Sequence, residues 1–329
     1  MKKLISTLLL AIICLSTLLS VTSCGGNDET KLDVGFMSGP TGMGMAKLIA
    51  DNGGVEGNEK YTFHNYESNT DKAMTELANG TVDIVCVPTN LAASYYKKNG
   101  GITVLAVNCL NSLYVVTDKS TALETFDDLE GQTIYTCTSG TPKAIMEHAL
   151  ISAGINATVS TVIEGETIDT PQELGELVKL GKLPIAAMPE PIITSTLLAI
   201  QKAGNTDIAY SVDLNVADAW AEGEDTPITM GCVIAKTEIV NSNKDAIDSF
   251  LDDYKASINF VGNSENLETA SNYIVESGIM AAAPAAKKAL GNLGDAIAYI
   301  DGADMKSALI SFYQAIGIPV PSDDFFYEK

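Results

Sequence analysis

Short apolar runs alternate with amphipathic stretches along the first two thirds of the chain, which predicts β-strands and α-helices in turn. Strands are expected over 32–37, 61–66 and 82–87, and a helix over 70–79. The run over 82–87 is almost continuously apolar, as in a strand that is buried on both faces of a parallel sheet. The alternation as a whole predicts a doubly wound α/β fold.

An internal repeat appears when the sequence is shifted by 101 residues against itself. The positions that coincide are Ser38-Gly39 with Ser139-Gly140, Met45 with Met146, Gly80 with Gly181, Ile84 with Ile185, and Pro88 with Pro189. The order of strand, Ser-Gly turn, helix and apolar strand also matches. We therefore expect two α/β lobes of one design, each with its own sheet.

We expect the polypeptide to cross from one lobe to the other twice. We assign 31–110 and 232–329 to the first lobe and 111–231 to the second, with crossing segments near 107–116 and 229–235. After Asn241 the pattern becomes helical, and we expect these helices to pack on the first lobe. Their expected ranges are 244–260, 267–277, 284–290 and 304–316. Within the second lobe, Thr141-Pro142 and Thr170-Pro171-Gln172-Glu173 read as capped helix starts.

The N-terminus has the order of a secretory signal. A start with two lysines precedes an apolar run over 4–19, and small residues then lead to Cys24. This ending resembles the lipobox of bacterial lipoproteins. That resemblance implies that 1–23 is a signal peptide, that Cys24 carries lipid, including palmitate, and that 24–30 is a tether. The alternative is an uncleaved membrane anchor, but the run is shorter than the roughly 20 residues of a spanning helix.

The charge of the chain excludes several classes of partner. Among 329 residues, 42 are Asp or Glu and 20 are basic, for a net charge of −22, and every basic residue is a lysine. A chain this acidic repels a nucleic-acid backbone, so we expect no nucleic-acid partner. It also lacks a basic patch for anionic lipid.

Four cysteines remain once Cys14 and Cys24 are set aside: Cys86, Cys109, Cys137 and Cys232. None is in a CxxC pair, so we expect buried small hydrophobic residues and neither metal nor cofactor. A Cys109–Cys232 disulfide stays open for a protein outside the cytoplasm.

The candidate site lies where strand-to-helix turns of the two lobes would meet. Ligands of open α/β sheets bind beyond the carboxyl ends of the strands. The turns that begin at Ser38 and Ser139 both precede helices, so free backbone N–H groups would face a shared cleft. Tyr66, Glu67, Tyr114, Glu190 and Trp220 are further candidates for its lining, although each aromatic could belong to the core and each glutamate could be solvated or cap a helix.

The chain resembles a known family at several of these places. The lipobox, the opening Val34-Gly35-Phe36-Met37-Ser38-Gly39-Pro40-Thr41-Gly42-Met43, the Gly80-x-Val82-Asp83-Ile84 segment and Pro189-Glu190-Pro191 look like solute-binding proteins of ABC importers. The most similar group takes up nitrate, sulfonates, taurine or thiamine-pyrimidine precursors (NMT1/THI5-like and SsuA-like proteins), and the resemblance covers about 31–260.

That resemblance implies a type II periplasmic-binding fold whose two lobes close on a small molecule. It also implies an extracytoplasmic location on the bacterial cell membrane and delivery to an ABC permease and its ATPase, and we expect a monomer. The ligand contacts that it implies are Ser38, Gly39, Pro40, Thr41, Gly42, Met43, Tyr66, Thr89, Asn90, Asn111, Ser139, Gly140, Thr141 and Glu190.

The absence of arginine bears on the ligand, because arginine commonly binds sulfonates and carboxylates through two hydrogen bonds. Glu67 and Glu190, with aromatic residues nearby, favour a neutral or cationic nitrogen heterocycle that is stacked and hydrogen-bonded. An anion held by helix N-termini, hydroxyls and Lys143 is the alternative.

An enzyme on the same scaffold, of the pyrimidine-synthase or menaquinone-lyase type, is the competing class. The two histidines, His64 and His148, have no cysteine or serine partner at nucleophile–base spacing. No phosphate-binding loop and no HExxH motif occur. A surface adhesin would need an exposed apolar run, which the pattern does not show. We therefore predict a binding protein that is not an enzyme.

Overall fold

The computed structural model describes residues 30–121, 123–204 and 208–329. The predicted signal peptide and the lipid site Cys24 lie outside these residues and stay predictions. The strands are β1 Leu32–Phe36, β2 Tyr61–Asn65, β3 Ile84–Pro88, β4 Ile102–Cys109, β5 Leu113–Asp118, β6 Thr133–Tyr135, β7 Thr158–Ser160, β8 Val162–Ile163, β9 Glu166–Thr167, β10 Ile185–Pro189, β11 Tyr210–Asn215 and β12 Gly231–Lys236.

Helices cover both sheets and fill the C-terminal quarter of the described chain. They are α1 Pro40–Met43, α2 Ala46–Asp51, α3 Thr70–Asn79, α4 Thr89–Asn99, α5 Pro142–Ser152, α6 Pro171–Lys179, α7 Ile192–Ala203, α8 Val216–Trp220, α9 Thr237–Ser242, α10 Lys244–Val261, α11 Leu267–Glu276, α12 Ala283–Leu293 and α13 Gly302–Ala315.

The two five-stranded sheets share one plan. The first has the order β2-β1-β3-β12-β4 and the second β7-β6-β10-β5-β11. In each, the first three strands are parallel, and the fourth is antiparallel to its neighbours. Each sheet is therefore mixed. Its antiparallel strand, β12 in the first sheet and β5 in the second, is the strand at which the chain enters that lobe from a crossing segment. The expected pair of α/β lobes is confirmed, and we call them the first lobe and the second lobe by these sheets.

The sequence repeat is visible in the structure. The strands β3 and β10 occupy positions 101 residues apart and have the same burial pattern. Asn69 and Thr170, also 101 residues apart, each accept a hydrogen bond as N-cap of the next helix. Gly80 and Gly181 follow those helices with positive φ angles. The two lobes are therefore repeats of one supersecondary unit.

The expected single helix up to about Ala50 is divided into α1 and α2. The break lies at Gly44, where an added Cβ would come within 2.6 Å of the Ile258 side chain of α10. Ser257 of the same helix donates to the Gly44 carbonyl (2.6 Å) and accepts from the Leu48 amide (2.9 Å). Close packing against α10 therefore interrupts the helix.

The C-terminal helices occur close to their expected ranges and mostly cover the first lobe. Two of them also contact the second lobe, which differs from the expectation. Asn292 at the end of α12 hydrogen-bonds Glu190, and Phe312 of α13 packs against Trp220 with ring centroids 5.8 Å apart. The exact lobe boundaries stay a prediction.

The described residues contain no helix with the length and apolarity needed to cross a membrane. They also contain no cluster of three or more His, Cys, Asp or Glu side chains suited to a metal ion. Cys86, Cys109, Cys137 and Cys232 are free and buried, so Cys109 and Cys232 are not joined.

Candidate functional site

A cavity of about 490 Å³ lies between the lobes at the carboxyl ends of β3 and β10. The Ser38 turn lines it from the first lobe and the Ser139 turn from the second. The predicted site residues that line it are Ser38, Gly39, Pro40, Thr41, Asn90, Ser139, Gly140, Thr141 and Glu190. We call this cavity the cleft. The two repeated turns therefore share one crevice, as the repeat predicted.

Three helices of eleven or twelve residues begin at the cleft wall after an N-cap residue whose side chain makes no capping hydrogen bond: α4 after Pro88, α5 after Thr141 and α7 after Pro191. In α7 the side chain of the preceding Glu190 accepts from the Thr194 amide instead, which leaves α4 and α5 without a side-chain cap. The expected cap by Thr141 is wrong, because its backbone (φ −113°, ψ 0°) is not in the extended conformation typical of a capping residue. The capping box of Thr170 and Glu173 is confirmed. Each lobe thus directs one uncapped helix N-terminus, with its partial positive charge, at the cleft.

Glu190 is the one charged side chain among the described residues that line the cleft. It is only 2% exposed. Its Oε1 accepts from Asn292 Nδ2 (2.6 Å) and Thr194 Oγ1 (2.9 Å), and its Oε2 accepts from the Thr194 amide (3.2 Å) in the first turn of α7. Burial raises the pKa of Glu190, and these donors together with Lys288 oppose the rise. Glu190 is therefore a buried carboxylate, held by three hydrogen-bond donors, in the wall of the cleft.

The rest of the cleft wall is small, hydroxylic or apolar, apart from the side-chain amides of Asn90 and Gln172. Six of the lining residues are prolines, and Ile192, Met230, Ile279 and Met280 add apolar surface. No aromatic and no basic side chain is among the described residues that line it. Lys143, the expected cation for an anionic ligand, lies elsewhere, 3.7 Å from Glu147 on its own helix. The polar groups in the cleft wall are therefore hydroxyls, backbone amides, the side-chain amides of Asn90 and Gln172, and the Glu190 carboxylate.

Four predicted site residues belong to the core of the first lobe and do not line the cleft. Gly42 and Met43 are buried in α1, and Thr89 donates to the Thr229 carbonyl (2.6 Å). The Tyr66 ring lies over β1 because Gly35 has no side chain, and the Tyr66 hydroxyl donates to Glu76 (2.6 Å). Glu67 is exposed at an adjoining opening that shares Ser38, Ser68 and 279–281 with the cleft.

Three other predicted site residues line a different cavity of about 540 Å³, which we call the rear cavity: Asn111, Tyr114 and Trp220. Asn111 donates to the Leu113 carbonyl and to Asn215, and Tyr114 donates to the Asn292 carbonyl (2.7 Å). Trp220 is 2% exposed and donates to the Thr226 carbonyl. Their polar atoms are thus used in structural hydrogen bonds, which corrects the expectation that they face the cleft.

Sequence reasoning missed part of the lining. Ser112 and Met230 come from the two crossing segments, and 279–281 comes from the loop between α11 and α12. That loop reaches the cleft because Asn65, at the end of β2, donates to the carbonyls of Ser277 and Gly278. No local pattern indicates a contact more than 200 positions away along the chain.

The raised pKa of Glu190 predicts how the stability of the unliganded chain depends on pH. The folded state holds the Glu190 proton more tightly than the unfolded state, whose pKa is about 4.3. Its stabilising contribution is therefore present below that value and is lost as pH rises through the folded pKa. We expect the unfolding free energy of the wild type, relative to Glu190→Gln, to fall as the pH rises above about 4. Urea unfolding at a series of pH values measures this; a difference that grows with pH would contradict it.

Comparison with known proteins agrees with this architecture. A family model described as NMT1/THI5 like matches residues 62–264. No curated protein sequence matches the chain. An ABC transporter structure from Parabacteroides distasonis is 18% identical with a TM-score of 0.70, and the match covers 91% of this chain and 99% of that one.

Two further solved structures have the same fold. The periplasmic aliphatic sulphonate binding protein of Escherichia coli is 15% identical with a TM-score of 0.66, covering 91% of this chain and 92% of that one. The periplasmic nitrate-binding protein of Synechocystis PCC 6803 is 12% identical with a TM-score of 0.57, covering 90% and 84%. At these identities the matches establish the fold, namely that of ABC-transporter binding proteins. The family model spans more than half of the chain, and the chain therefore belongs to the NMT1/THI5-like family.

Proposed function

We propose that this chain is the solute-binding component of an ABC importer, which closes its lobes on one small molecule and delivers it to a permease and its ATPase. The observation that carries the proposal is the cleft that the Ser38 turn and its repeat at Ser139 line together. Solved structures with this fold are described as sulphonate-binding and nitrate-binding proteins. A lipid on Cys24 would tie the protein to the membrane outside the cytoplasm.

The connection between the lobes suits closure. Two short crossing segments meet where the Met230 amide donates to the Cys109 carbonyl (2.9 Å). Hinges of this kind absorb a domain rotation in a few residues. A solute that contacts both lobes binds the closed form better and shifts the population toward it.

Binding without catalysis fits the chemistry of the cleft. His64 pairs with Asp33 (2.9 Å) and His148 with Glu224 (2.8 Å), and neither histidine lines the cleft. Cys109 does line it, but burial raises the pKa of this thiol to about 12, so it stays protonated and weakly nucleophilic. We therefore assign no reaction to the site.

Among solutes, we favour a small nitrogen heterocycle of the thiamine-pyrimidine type. An amino or ring N–H group can donate to Glu190, and ring nitrogens can accept from first-turn amides of α4 and α5 beyond the opening residues, because the Thr89 amide donates to the Met230 carbonyl and Pro142 has no N–H. The apolar lining of proline, isoleucine and methionine can hold a flat ring. Stacking on Tyr66, Tyr114 or Trp220 is not part of the proposal, because these side chains do not line the cleft.

A sulfonate or nitrate ion is the second candidate. The two uncapped N-termini of α4 and α5, together with the serine and threonine hydroxyls, favour it. The negative charge of Glu190 opposes it, as does the lack of a lysine among the described residues of the cleft wall.

A thermal-shift panel separates the candidates. Purified chain lacking 1–23 is heated with pyrimidines, other heterocycles, sulfonates, nitrate and amino acids, and native mass spectrometry detects any solute that co-purifies. We expect aminopyrimidines to raise Tm with concentration, because ligand stabilises the folded state by mass action. A shift with sulfonates or nitrate alone would select the second candidate, and turnover of a panel compound would overturn the binding assignment.

Glu190→Gln is expected to weaken binding of a donor-bearing solute by about 1–3 kcal/mol, since it removes the charged acceptor of a buried hydrogen bond. Isothermal titration with an aminopyrimidine measures the loss. Glu67→Gln, at the exposed neighbouring opening, is the matched control and should change affinity little. Equal affinity of the Glu190 variant and the wild type would remove Glu190 from the site.

A further inference from the structure

The carboxylate of Glu190 is held from a distant part of the chain. Asn292, 102 positions later, donates from Nδ2 to Oε1 of Glu190 (2.6 Å) and lies within 3.3 Å of Thr194 Oγ1. The Asn292 carbonyl in turn accepts from the Tyr114 hydroxyl (2.7 Å). The end of α12 is therefore fastened to three elements of the second lobe: β5, β10 with its following residue, and α7.

The two carboxylate oxygens of Glu190 accept different numbers of hydrogen bonds. A carboxylate oxygen accepts about two hydrogen bonds. Oε1 already accepts two, from Asn292 and from Thr194 Oγ1, whereas Oε2 accepts one, from the Thr194 amide. Among the described groups, the unused acceptor position of Glu190 is therefore on Oε2.

We propose that Asn292 is a positioning residue that keeps Oε1 of Glu190 occupied and presents Oε2 to the cleft, so that the cleft selects solutes that bring an N–H or O–H donor. This inference rests on the proposed function, because it assigns a selectivity to the same cleft. It places a determinant of solute choice on a C-terminal helix outside the cleft lining.

The same geometry predicts how protonation of Glu190 changes solute binding. A proton added to Glu190 sits on Oε2, since both acceptor positions of Oε1 are taken, and the cleft then presents a donor instead of an acceptor. The titratable groups that act on Glu190 are Lys288 of α12 and Tyr114 of β5, while α7 contributes the neutral Thr194. Donor-bearing solutes should therefore bind more weakly in acid, and acceptor solutes more strongly.

The first arm of the test needs no solute. Glutamate labelled at its carboxyl carbon is followed by NMR in the unliganded chain, with the Glu190 signal assigned by its loss in Glu190→Gln. Asn292→Asp removes the donor and brings a second carboxyl against Oε1. The two carboxyls then titrate as a pair in two steps, and the upper midpoint in the Glu190 signal should lie about one pH unit or more above the Glu190 midpoint of the wild type. Asn292→Ala should raise it less. Lys287→Ala, on the same helix and paired with Glu268, should leave it unchanged.

The second arm uses aminopyrimidine as the donor probe and methanesulfonate as the acceptor probe. Asn292→Ala should weaken aminopyrimidine binding roughly tenfold in the wild type and hardly at all in Glu190→Gln, because it acts through Glu190. Methanesulfonate binding should not fall. Equal losses in both backgrounds, or unchanged Glu190 midpoints in both Asn292 variants, would overturn the inference. If neither probe binds the wild type, the proposed solute class is wrong. The titration midpoints of Glu190 in the Asn292 variants then still test whether Asn292 positions the carboxylate.

Discussion

Replacing Ser139 by tryptophan should lower solute affinity by on the order of 100-fold, about 2.7 kcal/mol, while the chain stays folded. Ser139 is exposed at the cleft wall, so its backbone turn tolerates a larger side chain. The indole would occupy part of a cavity of about 490 Å³ and hold the Ser139 turn away from the Ser38 turn. Titration with a panel compound that stabilises the wild type measures the loss.

The matched control is Thr167→Trp on β9. Thr167 is exposed on the second lobe but does not line the cleft. It should keep wild-type affinity and a wild-type melting temperature. If Ser139→Trp binds as tightly as this control, the solute lies elsewhere.

Replacing Trp220 by alanine should lower the unfolding free energy by about 3–5 kcal/mol, the usual cost of removing a large buried aromatic side chain. Trp220 packs against His148 and Phe312, with ring centroids 4.7 and 5.8 Å away, and its Nε1 donates to the Thr226 carbonyl. It therefore joins the second lobe to the C-terminal helix α13. Chemical denaturation of the unliganded chain measures the change.

Ile151→Ala is the control for this loss. Ile151 is 75% exposed on α5, the helix that also carries His148, and its truncation should change stability by less than about 0.5 kcal/mol. A Trp220→Ala variant of near wild-type stability but without solute binding would return Trp220 to the role expected from the sequence.

Predictions from the sequence succeed where periodicity and local turn chemistry decide the structure. The helix over 70–79 and the capping box at Thr170 depend on neighbouring residues, and both occur as expected. The repeat adds long-range information, since two copies of one unit place Ser38 and Ser139 at equivalent turns. That is why the cleft and much of its lining could be located without coordinates.

Predictions for aromatic and polar side chains fail where tertiary packing decides their direction. Tyr66 turns over β1 because Gly35 leaves space for its ring. Tyr114 and Trp220 face the rear cavity because they contact α12 and α13. No sequence motif surrounds Asn292. The role proposed for it follows only from its hydrogen bond to Glu190, which the folded structure reveals. Contacts between segments so far apart leave no periodic signal in a single sequence.

The most direct test is a crystal structure of the chain with the panel compound that raises its Tm most. We predict density for one molecule in the cleft, touching the Ser38 turn and the Ser139 turn at once, with a donor atom at hydrogen-bond distance from Oε2 of Glu190. Density in the rear cavity, or on one lobe alone with the cleft empty, would contradict the proposed capture of the solute between the two repeated turns.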